Sequence, residues 1–128
     1  MTSTGRPKLI LVVDDDDPVR SQYMFGLAFA GFAVSEARSG LEALQKIESR
    51  RPDLVLLDST LQGIDAAAVR AELASNPHTR HIPIIVLTDT CAGFAPAMDR
   101  CSVLQKPVAT SRVIEAVLRC LEGSGSGQ

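Results

Sequence analysis

The chain has 128 residues, 45% of them hydrophobic and 22% charged, with a formal net charge of −2. That is the size and balance of one soluble globular domain, able to bury roughly two thirds of its unfolded surface. The small negative charge, without any Lys/Arg cluster, argues against a nucleic-acid surface, and apolar runs of about five residues fall far short of the roughly 18 a membrane span needs. Cys91, Cys101 and Cys120 are odd in number and lack CxxC spacing, so they read as small hydrophobes, not as a disulfide frame or zinc site. No secretory leader is read at the start, and a cytoplasmic location is expected.

Met1–Pro7 is polar, with Gly and Pro, and is expected to be disordered. Leu9-Ile10-Leu11-Val12-Val13 reads as a fully buried strand. Four acids follow at once, Asp14-Asp15-Asp16-Asp17. Their mutual repulsion at one sheet edge asks for a positive partner, and a divalent cation is the simplest. Asp17 is expected to cap a helix with Pro18 at its first position. Val19, Tyr23, Leu27 and Ala30 share one face of that helix, and Gly31 stops it.

Phe32–Ala37 is a mixed, more polar strand. Leu41, Leu44 and Ile47 mark a second helix, ended by Arg51-Pro52. Leu54–Leu57 is another buried run, closing on Asp58. A third helix is expected to open at Asp65, run through Val69 and Leu73, and finish at Asn76-Pro77. His78 and His81 lie beyond it and are expected to face solvent. Ile84–Leu87 is a further buried run, closing on Thr88, and Val103–Gln105 is a short strand before the constrained turn Lys106-Pro107. The last helix carries Val113, Ile114, Val117, Leu118 and Leu121, with Thr110 or Ser111 as its cap. Gly123–Gln128 is expected to be a flexible tail, leaving 8–122 as the folded domain.

Strands separated by helices of this length predict an α/β doubly wound parallel sheet with both faces covered. Three runs are apolar throughout and two are mixed, as three inner strands flanked by two edges require. The order 2-1-3-4-5 satisfies this. Ligands in such sheets bind at the carboxyl ends of the strands, where Asp14, Asp15, Asp58, Thr88 and Lys106 would meet.

The stretches Leu9–Asp15, Arg51–Asp58, Ile82–Thr88 and Lys106-Pro107, in this order over about Lys8 to Glu122, resemble the receiver domain of two-component response regulators. The resemblance implies the flavodoxin-like receiver fold. It also implies that Asp58 accepts a phosphoryl group from a sensor histidine kinase or a histidine phosphotransfer protein. Asp14, Asp15, Asp58 and the backbone carbonyl of Thr60 would hold Mg²⁺, Lys106 would pair with the phosphoryl group, and Thr88 would donate its hydroxyl to it. Such a module modifies itself and is not a turnover enzyme. Its output passes to a downstream protein or a linked output domain, and a homodimer is within the family's range.

Four features depart from the family pattern. Asp89 stands where a small residue gates the phosphate, and Val103 replaces the aromatic that rotates with the threonine. Only 17 residues, including Gly93 and Pro96, separate Thr88 from Lys106, so the family's fourth helix is expected to be short, displaced or absent. Gln62 and Ala66 stand where receivers often have Pro and Gly. These features raise an alternative: a pseudo-receiver, a protein-interaction scaffold without productive phosphorylation. An aspartate-nucleophile phosphatase fits less well, because Asp14–Pro18 lacks the Thr or Val of the Asp-x-Asp-x-Thr/Val motif. A flavin-binding flavodoxin fits poorly too, since no hydroxyl-rich loop follows the first strand.

Overall fold

The computed structural model describes residues 6–61, 66–88, 101–106 and 108–126, with backbone alone at 101–102 and 123–126. The expectations placed on Gln62, Asp65, Asp89, Cys91, Gly93, Pro96 and Pro107, and on a shortened fourth family helix, lie outside these residues. So do residues 1–5 of the N-terminal segment and 127–128 of the tail.

Five strands form one parallel sheet: β1 (Leu9–Val13), β2 (Ala33–Ala37), β3 (Leu54–Asp58), β4 (Ile84–Thr88) and β5 (Cys101–Gln105). Their order is β2-β1-β3-β4-β5, as expected. Four helices are described: α1 (Asp17–Phe29), α2 (Gly40–Ser49), α3 (Ala66–Ser75) and α4 (Thr110–Ser126). The inner strands β1, β3 and β4 are buried along their whole length.

Alternation along these strands sorts the core into two layers. Leu11, Val13, Val55, Leu57, Ile84 and Val86 pack with Ala43 and Ile47 of α2 and Val69 and Leu73 of α3. Ile10, Val12, Leu54, Leu56, Ile85 and Leu87 pack with Tyr23 and Leu27 of α1 and Val113 and Val117 of α4. The sheet is therefore covered on both sides, and its strand tips open onto one end.

Local signals misplaced several boundaries. The N-cap of α1 is Asp16, whose side chain accepts from the Val19 amide, and Asp17 is already helical. The cap moves because Asp16 is the last residue with extended backbone. Ala30, expected on the buried face, is the exposed C-cap, and Gly31 follows it at φ 106°, a conformation that favours glycine. Leu41 and Leu118, expected in the core, are 55% and 48% exposed; the shorter Gly40 and Ala43 occupy the buried side of α2. Thr110 begins α4 and is not its cap, since the Ala109 carbonyl accepts the first helical bonds. The helix also runs into the Gly/Ser segment as far as Ser126. His78 and His81 are exposed, as expected.

Candidate functional site

β1 ends at Val13, and the chain holds on to β2 for one further bond, Asp14 N–H to the Ala37 carbonyl at 3.0 Å. That bond keeps Asp14 at the sheet, where its side chain is only 3% exposed. Its Oδ1 accepts the Asp16 amide at 2.9 Å, while Asp15, the next residue, is exposed. Asp58 closes β3 and is 2% exposed. Since Val13 pairs with Leu57, Asp14 and Asp58 are the next step of the same register and leave one edge together.

Strand β4 delivers Thr88 beside Asp58, because Asp58 pairs with Leu87. The Thr88 hydroxyl residue is buried, and its backbone carbonyl accepts the Lys106 amide at 2.7 Å, which fixes where β5 ends. From there the Lys106 side chain reaches across β4 and brings Nζ to 2.5 Å from Asp58 Oδ1. The other acceptor oxygen, Oδ2, takes a hydrogen bond of 2.8 Å from the Thr60 hydroxyl. Carboxylate oxygens of Asp14, Asp15 and Asp58 lie within 4.8 Å of one another. The residues expected from four separate segments thus share one pocket at the strand tips.

The electrostatics of this pocket are unbalanced. Burial pushes the Asp14 carboxyl up to about 6; the Asp58 and Asp15 charges add to that, against the Asp16 amide and the Lys106 ammonium. Asp58 Oδ1 is buried and accepts no aligned hydrogen bond, although Lys106 is close enough to pair with it by charge. An oxygen left this way and a surplus of acids over ammonium are both relieved by a hard divalent cation, which takes oxygen ligands and leaves room for water. The donor set fits such an ion.

Arg20 is the residue that sequence reasoning overlooked. It is 4% exposed, and its guanidinium donates to the Asp14 carbonyl (2.9 Å), Asp17 Oδ1 (2.6 Å) and Glu36 Oε1 (2.7 Å). Its carboxylate partners hold the guanidinium firmly charged, Glu36 most of all. Its signal was present: Arg20, Tyr23 and Leu27 follow the i, i+3, i+7 stripe that buries α1, and Asp17 precedes it by three.

Comparison with known proteins bears on the family and the fold. Residues 10–118 match the family described as the response regulator receiver domain. The chain is 37% identical over 114 residues to the response regulator MprA of Mycobacterium sp. (strain KMS), covering 84% of this chain and 48% of the relative. It thus spans about half the length of the curated relatives it matches. Among solved structures, a response regulator from Chloroflexus aurantiacus superposes with a TM-score of 0.82 at 33% identity, over 91% of this chain and 99% of the other. NtrX from Brucella abortus superposes with a TM-score of 0.81 at 30% identity, over 93% of this chain and 28% of that one. The chain belongs to the response regulator receiver domain family.

Proposed function

We propose that this domain accepts a phosphoryl group on Asp58 from a phosphohistidine donor, in a reaction that requires Mg²⁺, and passes the change on as altered protein contacts. The observation that carries the reading is the meeting of Asp14, Asp15 and Asp58 within 4.8 Å while Lys106 pairs with Asp58. In the transfer, an Asp58 carboxylate oxygen forms a bond to phosphorus as the P–N bond of the donor breaks. The bonding pair returns to the imidazole nitrogen, and an acyl phosphate remains on Asp58.

Each residue would have a definite task. Asp14, Asp15, Asp58 and the Thr60 carbonyl would hold Mg²⁺, which supplies charge stabilisation of the phosphoryl oxygens when bound. Lys106, a flexible point charge already at the carboxylate, would follow the oxygens as negative charge collects on them. Thr88, buried at the tip of β4, would donate its hydroxyl to the phosphoryl group and so couple chemistry to loop position. The added charge of about −1.5 to −2 then biases a two-state element. The donor would be a sensor histidine kinase or a histidine phosphotransfer protein, and the recipient a downstream protein or a linked output domain. Reception and signalling, not turnover of a metabolite, is the role this supports.

The test is intact-mass measurement after incubation with a small-molecule phosphodonor and Mg²⁺. The wild type should gain the mass of one phosphoryl group, chelation of Mg²⁺ should prevent it, and Asp58→Asn should gain nothing. Modification of the Asp58→Asn variant to the wild-type extent would overturn the assignment of the acceptor.

A further inference from the structure

We infer that Arg20 is a positioning residue for the cation pocket: its guanidinium fixes the Asp14–Asp15 peptide plane and so aims the Asp15 carboxylate at Asp14 and Asp58. This rests on the proposed cation site and goes beyond it, since Arg20 touches none of the three carboxylates that would bind the ion.

The geometry is specific to a planar fork. Nη1 donates to the Asp14 carbonyl at 2.9 Å in a buried contact. That oxygen belongs to the peptide linking Asp14 to Asp15, so its bond sets the direction in which the Asp15 backbone leaves. The amide on the other side of Asp14 is held by Ala37 of β2. The first acid is therefore clamped between two elements. Asp15 is exposed, and a side chain facing solvent would otherwise sample several rotamers at an entropic cost to binding. Its oxygen nonetheless lies within reach of the other two carboxylates.

The remaining donors of the fork lock the guanidinium itself. Nε binds Glu36 on β2 at 2.7 Å and Nη2 binds Asp17 at the start of α1 at 2.6 Å. One side chain thereby ties the β1–α1 turn, α1 and β2 together. Asp17 and Glu36 also balance the Arg20 charge, so what reaches the pocket is orientation more than field. A lysine preserves the charge but cannot hold three acceptors in fixed directions.

The experiment is a Mg²⁺ titration, without phosphodonor, followed by backbone amide NMR shifts on the full chain at fixed pH and two salt concentrations. Arg20→Lys should weaken Mg²⁺ binding about tenfold or more, the size seen when partners that orient metal ligands are removed. Glu36→Ala, at a half-exposed position that leaves the core untouched, should weaken it by a smaller factor. Both losses should persist at the higher salt, where an effect of charge alone fades. Val69→Ala lowers stability through the opposite core layer and should leave Mg²⁺ affinity at the wild-type value. If wild type binds Mg²⁺ and both Arg20→Lys and Glu36→Ala bind within twofold of it, the inference is overturned while the proposed site stands. If wild type shows no Mg²⁺ binding, the cation site is overturned and this inference with it.

Discussion

Asp58 meets a different partner at each oxygen: an ammonium held by charge at Oδ1 and the Thr60 hydroxyl at Oδ2. Thr60 therefore brings a donor to the acceptor, and neither an acid nor an amide that could orient a water for attack on an acyl phosphate. Thr90 is the matching residue beyond Thr88 in sequence and is likewise a hydroxyl. If Asp58 is the acceptor, as proposed, its acyl phosphate is expected to be long-lived, with decay followed by intact mass after removal of the phosphodonor. Loss of the adduct within seconds would contradict this. Asp14, Asp58 and Thr88 were legible because each closes or directly follows a run of apolar residues whose strand character is unmistakable. Arg20 was not, because an arginine on a helix ordinarily faces water. Only its place on the stripe of Tyr23 and Leu27 distinguishes it. The shift of the cap from Asp17 to Asp16 has a similar cause: four consecutive acids offer the same side-chain oxygen, and backbone dihedrals choose between them.

Among the elements, α1 and α4 show a close approach that depends on a missing side chain. A Cβ at Gly26 would stand 2.5 Å from Thr110 Cγ2 and 3.4 Å from Ile114 Cδ1. Glycine inside a helix costs about 1 kcal/mol relative to alanine, whereas forcing an extra methyl into a packed contact costs roughly 1–3 kcal/mol. Gly26→Ala should therefore be destabilising on balance, by about 1 kcal/mol, in urea unfolding. The Thr110 hydroxyl is buried and accepts or donates no hydrogen bond, so Thr110→Ala removes both the obstructing methyl and an unmatched polar group. Combined with Thr110→Ala, the Gly26→Ala change should turn neutral or stabilising. A double variant whose losses simply add would show that the two positions do not share this contact. The periodicity that identified α1 and α4 could not reveal this, since a sequence pattern says which face is apolar and not how near the neighbouring helix comes. The misjudged Leu41 and Leu118 have the same origin: with Gly40, Ala43 and Val117 filling the contact, a nearby leucine is displaced to the rim.

For the whole molecule, the pocket is a source of instability that the rest of the fold offsets. The sheet order and its two core layers were readable from the five apolar or mixed runs, because a parallel sheet must bury its inner strands. The energetic consequence of gathering acids at the tips depends on burial, which only the structure supplies. Asp14 has its carboxyl raised to about 6 by burial above all. The folded chain then binds more protons than the unfolded one between about pH 4 and 6, so this group's contribution makes stability fall as pH rises through that window. Above it the loss levels at about 3 kcal/mol, an order-of-magnitude figure for a shift of this size. Asp17 acts in the opposite sense. The Arg20 hydrogen bond lowers its carboxyl below the ordinary value, so its effect is lost only at more acidic pH. The two windows do not overlap. In EDTA, the urea stability of wild type should therefore drop between about pH 4 and 6, relative to Asp14→Asn measured across the same range. At pH 7.5 the Asp14→Asn variant should be the more stable protein, by up to about 3 kcal/mol. Adding Mg²⁺ should then raise the stability of wild type in proportion to the logarithm of its concentration above Kd, and should barely move Asp14→Asn. A variant less stable than wild type in EDTA at pH 7.5 would show that the Asp14 charge is not an energetic burden on the metal-free fold.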